Sequence, residues 1–195
     1  DIIELADDDD PGYASRGAYK LAGALEVFGS GAAPVRVAGR RCLDAGASTG
    51  GFTDVLLRAG ASEVVAVDVG YGQLIWRLRS DERVTVLDRT NVRHLSPADI
   101  GGPVGLVVAD LSFISLRLVL AALVACLEPQ GDLLLLVKPQ FEVGRELVGR
   151  GGVVRDPQLH AAAIRGVAQA AAELGFGVRG LVASSLPGPA GNLEF

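Results

Sequence analysis

Leu43-Asp44-Ala45-Gly46-Ala47-Ser48-Thr49-Gly50-Gly51-Phe52 joins an apolar, strand-like run over Arg41 to Ala45 to a helical pattern over Gly51 to Ala59. The glycines at such a strand-to-helix turn allow the backbone to approach a ligand closely, as in a nucleotide-type cofactor loop. About 20 residues further on, Val64-Val-Ala-Val-Asp68 puts a carboxylate at the end of a second strand, where it can accept hydrogen bonds from ribose hydroxyls. The pairing of loop and acid is more specific than a glycine-rich loop alone.

A dinucleotide dehydrogenase also pairs glycines with a later acid, but its Gly-x-Gly-x-x-Gly fingerprint seats a pyrophosphate on the helix N-terminus. Here Ser48 replaces the middle glycine and Asp44 opens the loop. A negative charge at that point repels phosphate and suits the cationic amino-acid end of S-adenosylmethionine. The expected cofactor residues are therefore Asp44, Gly46, Ser48, Thr49, Gly50, Gly51, Phe52 and Asp68, with Asp88, at the end of a third strand, assigned to the adenine amine.

Outward from the loop, a leading helix over residues 15 to 28 with Ser15 as N-cap is followed by alternating strands and helices. Strands are expected at Arg41 to Ala45, Val64 to Asp68, Val84 to Leu87, Val104 to Asp110 and Leu133 to Lys138, and helices at Gly51 to Ala59, Gly72 to Arg79, near Pro97 and from Ile114 to Leu127. This alternation predicts an α/β fold, a mostly parallel sheet with helices on both faces. Glycines then interrupt every period between Phe141 and Asp156, so a long loop is expected, of the kind that is usually functional. A helix from Pro157 to Leu174, a strand from Val178 to Ser184 and a turn-rich stretch from Leu186 to Gly191 complete the pattern.

With 195 residues, 49% hydrophobic and 21% charged, the chain suits one globular domain and excludes intrinsic disorder. Aromatic content of 5% argues against a stacking platform for single-stranded nucleic acid. The net charge of −5 is concentrated in residues 1–12, which hold six acids and read as an acidic, solvated tail; 17 acids and 18 bases remain elsewhere. Two cysteines in apolar runs, Cys42 and Cys126, and two distant histidines, His94 and His160, indicate neither a disulfide framework nor a metal site. A reducing, cytoplasmic setting is expected. The longest apolar runs are shorter than the ~18 to 20 residues that span a bilayer.

Sixteen of the 18 basic residues are arginine; the two lysines are Lys20 and Lys138. Arginine evidently serves where a plain positive charge suffices, whereas lysine offers a compact charge and a pKa that burial can lower. Lys138 ends the fifth expected strand and Asp110 the fourth, and in a parallel sheet those ends border the ligand crevice.

Six stretches together resemble the TlyA family, also labelled hemolysin A: Ser15-Arg-Gly-Ala-Tyr-Lys20-Leu, Asp44 to Phe52, Ala109-Asp-Leu-Ser-Phe-Ile114, Val137-Lys-Pro-Gln-Phe-Glu142, Gly151-Gly-Val-Val154 and Gly191-Asn-Leu-Glu-Phe195. That family belongs with the FtsJ-like ribose methyltransferases. The resemblance, covering about Tyr13 to Phe195, implies a Rossmann-like S-adenosylmethionine-dependent fold with a seven-stranded sheet whose last strands run past Phe195. It also implies an N-terminal S4-like RNA-binding domain that these residues do not include, and residues near Gly31 to Val35 look like an insertion.

The implied activity is methylation of cytidine 2′-hydroxyls in 16S and 23S ribosomal RNA, with a catalytic tetrad of Lys20, Asp110, Lys138 and Glu194, Asp110 also bordering the cofactor. A ribose hydroxyl is a poor nucleophile, so it must be held in line with the methyl group while its proton is steered away. Lys138 is assigned to the 2′-oxygen, and the sequence leaves open which lysine takes the proton. No metal is required, and a monomer is expected. Ribosomal RNA or a ribosomal subunit would lie across the cleft mouth, its phosphates near Arg16, Arg145, Arg150 and Arg155. The competing classes are a small-molecule methyltransferase and a non-enzymatic, hemolysin-like protein.

Overall fold

The computed structural model describes residues 12–195. Residues 1–11, and with them nearly all of the expected acidic tail, lie outside the described residues.

Five strands, β1 (Arg41–Ala45), β2 (Glu63–Val67), β3 (Val84–Leu87), β4 (Val104–Ala109) and β5 (Leu127–Leu135), form one parallel sheet in the order β3-β2-β1-β4-β5. The central three are almost wholly buried, as apolar parallel strands covered on both faces must be. Side chains alternate between two cores. Leu43, Ala45, Val65, Val67, Val107 and Ala109 meet α4 (Leu120–Ala125) and α6 (Pro157–Glu173). Cys42, Val64, Ala66, Leu106 and Val108 meet α1 (Ala18–Phe28) and α2 (Gly51–Arg58). Asp44 therefore belongs to the α2 face.

The chain lays down β1, β2 and β3 in one direction and then returns to the other side of β1 for β4. That reversal leaves a crevice at the carboxyl ends of β1 and β4, where doubly wound sheets take their ligands. Asp44 and Gly46 border it from one strand and Asp110 from the other.

Several expected elements differ. The leading helix begins at Ala18, not at residue 15: Ser15 to Gly17 form a turn whose carbonyls accept from Ala18, Tyr19 and Lys20 N–H, and Ser15 does not cap it. The helix expected from Gly72 shrinks to α3 (Trp76–Arg79), because Gly72 has φ +66° and Ile75 is extended. The run from Ile114 to Leu127 breaks into a 3-10 turn over Leu116–Leu118 and the short α4, and near Pro97 there are only turns.

β5 starts at Leu127, six residues earlier than expected, with a bulge opposite Val104 and Leu106. The loop after Lys138 contains the one-turn helix α5 (Pro139–Glu142) and 3-10 turns at Arg145–Leu147 and Arg150–Gly152. α6 starts as its sequence suggests, with Asp156 accepting from the Gln158 N–H (2.8 Å) ahead of Pro157.

No ladder is assigned to the expected strand Val178 to Ser184. Ser184 N–H reaches Glu194 O (2.8 Å), while Val137 and Phe195 exchange both backbone hydrogen bonds (2.6 and 2.9 Å), the geometry of an antiparallel pair beside β5. Five strands are thus described among residues 12–195, where the resemblance implied seven.

Candidate active site

The cofactor-type loop is shaped by backbone conformations that side chains resist. Gly46 has φ +90°, and a Cβ there would lie 2.5 Å from Asp110 O. Gly50, the left-handed residue ahead of α2, has φ +103°, and a Cβ would lie 2.4 Å from Leu78 Cδ1. Ser48 takes φ +47° without being glycine, which fits a functional turn. Gly51 packs tightly under α1, its Cβ position 2.4 Å from Ser15 Oγ. Thr49 O accepts from Ile75 N–H (3.3 Å), tying the loop to the start of α3. Phe52 is buried in the core, where it supports the loop from below.

Three carboxylates surround this loop. Asp68 Oδ2 accepts from Ser48 N–H (2.8 Å) and Oδ1 from Gly70 N–H (2.7 Å), so both oxygens are oriented by backbone and keep lone pairs for hydroxyl donors. Asp88 Oδ2 accepts from Arg79 (3.0 Å) and Gly72 N–H (3.2 Å), and the Arg79 guanidinium holds its carboxyl below the usual range. Asp44 is fully buried. Its Oδ2 accepts from the Thr53 hydroxyl (2.7 Å), while Oδ1 is buried with no hydrogen-bond partner. Burial pushes Asp44 up to about 7; Thr53 pulls it down, and the negative charges of Asp110 and Asp68 add to the rise. A buried, unmatched acceptor beside a glycine cradle and an oriented carboxylate fits a ligand with a cationic end and a ribose.

Lys138 ends the chain's run out of β5, where Pro139 starts α5. Its Nζ lies 2.5 Å from Asp110 Oδ1 and donates to Ser112 Oγ at 3.0 Å. Lys20, in the first turn of α1, lies 2.5 Å from Glu194 Oε2. Both lysines are mostly buried, and the Glu194 side chain is wholly so, with Oε1 lacking a partner. The two ion pairs are neighbours. The Val137–Phe195 pairing sets Glu194 alongside Lys138, and a Cβ at Gly17 would lie 3.9 Å from Asp110 Oδ2, so the start of α1, which carries Lys20, abuts the Lys138–Asp110 pair.

Arg16, Arg145, Arg150 and Arg155 are all exposed, and none joins a salt bridge among the described residues. Phe113, next in sequence to the Lys138 contact at Ser112, is 91% exposed with φ +64°.

Sequence reasoning missed a second set of polar residues that brace these loops. Asp54 accepts from Ala14 N–H (2.8 Å), Arg58 (2.9 Å) and Arg77 (2.5 Å). Burial raises its pKa, but those donors outweigh it and hold the carboxyl below its ordinary value. Glu142 accepts from the Ser115 hydroxyl (2.6 Å) and Leu116 N–H (2.7 Å), which fastens the segment after Asp110 to the segment after Lys138. Asn192 accepts from Val154 N–H and donates to Gly152 O (both 2.9 Å), locking the glycine-rich loop to the segment carrying Glu194. Apart from the i,i+4 pair of Asp54 and Arg58, each of these contacts spans 23 or more positions in sequence, and no local spacing signals them.

The model of the FtsJ-like methyltransferase family matches residues 13–195. The chain belongs to that family. A Mycobacterium tuberculosis (strain ATCC 25618 / H37Rv) relative named 16S/23S rRNA (cytidine-2′-O)-methyltransferase TlyA is 60% identical over 193 residues, covering 99% of this chain and 70% of that protein. A Lactococcus lactis structure described as a candidate hemolysin superposes with a TM-score of 0.88 at 48% identity, over 93% of this chain and 85% of its own. Aeropyrum pernix fibrillarin, solved with natively bound S-adenosyl-L-methionine, matches at a TM-score of 0.57 over 91% of this chain and 74% of its own; at 16% identity it shares the fold alone. The methyltransferase family agrees with a loop that opens on a buried acid and has no pyrophosphate fingerprint. Among the described residues, no helix is long and apolar enough to cross a membrane.

Proposed function

We propose that this protein methylates the 2′-hydroxyl of cytidine ribose in 16S and 23S ribosomal RNA, the reaction in the name of its M. tuberculosis relative, with S-adenosylmethionine as donor. The observation that carries the reading is the cluster of two lysine–carboxylate pairs, Lys138–Asp110 and Lys20–Glu194, at the carboxyl-end crevice.

In this reading, Asp44 attracts the donor's cationic amino-acid end, Asp68 takes the ribose hydroxyls, and Asp88, with Oδ2 held by Arg79 and Gly72, offers Oδ1 to the adenine amine. The tight loop supports it: a Cβ at Gly46 would collide with Asp110 O and one at Gly50 with Leu78 Cδ1, so glycine at both positions lets the turn close against the end of β4 and α3. When bound, the donor supplies an electrophilic methyl group, whose C–S bond breaks as the O–C bond forms.

Lys138 orients the 2′-oxygen from a position fixed by Asp110 and Ser112. Asp110 and Glu194 balance the two lysine charges and fix their side chains, and Lys20 completes the polar floor under the nucleotide. The hydroxyl proton leaves into this cluster as the oxygen attacks, so the residues act through alignment and proton acceptance. Arg16, Arg145, Arg150 and Arg155 take the RNA phosphates around the mouth, where exposed guanidinium groups with no salt bridge among the described residues suit a salt-dependent contact. Labelled methyl transfer from S-adenosylmethionine to isolated ribosomal subunits tests the reading. Incorporation into RNA is expected, whereas tight binding of NAD with no response to S-adenosylmethionine overturns it.

A further inference from the structure

The floor of the crevice holds one polar pair with no evident structural need. Asp44 and Thr53 are both fully inaccessible and lie on the same sheet face, Asp44 near the end of β1 and Thr53 in the first turn of α2. Their hydrogen bond (2.7 Å) satisfies Oδ2 only, and Oδ1 is left buried with no donor. A charged carboxylate in that state is costly, whereas a protonated one is tolerated.

We infer that Thr53 is a positioning residue for the donor's cationic end, holding the Asp44 carboxyl so that binding of that end is coupled to loss of one proton from Asp44. The inference rests on the cofactor reading above and adds a linkage to it.

The surroundings support the coupling. Asp110 from the end of β4 and Asp68 from the end of β2 both bear on Asp44 as negative charges. Cys42, two residues back on the same strand, has its thiol pushed up to about 12 by burial and stays neutral. Positive groups on the neighbouring elements are engaged: Lys138 with Asp110, Lys20 with Glu194, and Arg58 and Arg77 with Asp54 of α2. In the free protein, Thr53 is therefore the group that favours the charged form, against burial and two acids. Burial accordingly sets Asp44 near 7, within reach of ordinary pH. An incoming ammonium supplies the missing positive charge, Asp44 releases its proton to solvent, and affinity depends on pH below that point.

Calorimetry on the 195-residue chain at about pH 7.5 and about pH 6 tests this, with S-adenosylmethionine and with 5′-methylthioadenosine, which keeps the adenosine and lacks the amino-acid end. S-adenosylmethionine affinity should fall roughly eightfold at the lower pH, and 5′-methylthioadenosine affinity should hold within about twofold. At about pH 6, a buffer-ionisation series should show close to one proton released per S-adenosylmethionine. Thr53→Val should weaken binding at about pH 7 and move the fall to higher pH, while Thr53→Ser restores the original profile. Equal S-adenosylmethionine affinity at both pH values, a parallel fall for 5′-methylthioadenosine, or a wild-type pH profile in Thr53→Val would each overturn the coupling. Failure of both compounds to bind at any pH would instead remove the cofactor reading, and the inference with it.

Discussion

Replacing Asp44 with asparagine should make the cofactor-free protein more stable at about pH 8. Asp44 has an ordinary pKa near 3.8 and is held at about 7 in the fold, first by burial, with Asp110 and Asp68 adding to the rise. Between those values the folded state keeps a proton that the unfolded state has lost, so stability falls as pH rises and levels off above about 7. At ~1.4 kcal/mol per pKa unit, the full penalty is about 4 kcal/mol. Asparagine removes the charge and lets its carbonyl accept from Thr53, but its amide NH2 takes the place of the unpartnered Oδ1, costing ~1–3 kcal/mol. The net gain should be about 1–3 kcal/mol at about pH 8, giving way to a loss of up to about 2 kcal/mol at about pH 4.5, where wild-type Asp44 is still largely protonated in the fold and only ~1 kcal/mol of its penalty remains. Urea unfolding followed by circular dichroism at the two pH values, without ligand, measures the difference, and contributions from other titrating groups cancel between wild type and variant. A difference that is the same at both pH values would refute the reasoning.

Lys138→Arg keeps the charge but cannot reproduce a compact ammonium between Asp110 Oδ1 and Ser112 Oγ; the methyl-transfer rate should drop ~10²–10⁴-fold, with donor affinity within about twofold of wild type, read from single-turnover kinetics and calorimetry. Asp54→Asn should cost ~1–3 kcal/mol near neutral pH by weakening the contacts to Arg58 and Arg77. Because the Asp54 pKa is held below its ordinary value, the wild-type advantage should be present above about pH 4 and vanish as pH falls further, in parallel urea titrations of the two proteins. Gly50→Ala combines φ +103° with a Cβ 2.4 Å from Leu78, so it should destabilise the fold by ~1–3 kcal/mol and weaken donor binding in the same preparation.

The centre of the fold was legible because its signals are local. Val64 to Asp68 and Val104 to Asp110 read as buried strands ending in acids, and in a parallel sheet that alone brings Asp68 and Asp110 to the same crevice. The ends of elements were less legible. Glu128-Pro-Gln-Gly131 looks like a turn, yet it runs along the sheet as a bulged start to β5, because pairing with β4 overrides local composition. Gly72 carries little weight in a helical pattern until its φ of +66° is known. The lysines could be singled out by their rarity, but which acid each one meets depends on where the chain returns after 174 residues for Lys20 and Glu194, and spacing carries no record of that. Glu142 and Asn192 share this limit, as does Asp54 toward Ala14 and Arg77, since those partners come from other segments; only the Asp54–Arg58 pair is local.

The acceptor proposed for this site is a ribose 2′-oxygen of ribosomal RNA. The most direct measurement incubates the protein with S-adenosylmethionine and isolated ribosomal subunits, digests the RNA and locates the new methyl group by mass spectrometry of the nucleosides. 2′-O-methylcytidine is expected, with the phosphodiester on its 3′ side resistant to alkali because the neighbouring hydroxyl is blocked. Methylation on a base, or RNA unmodified while a small-molecule acceptor takes the methyl group, would contradict it.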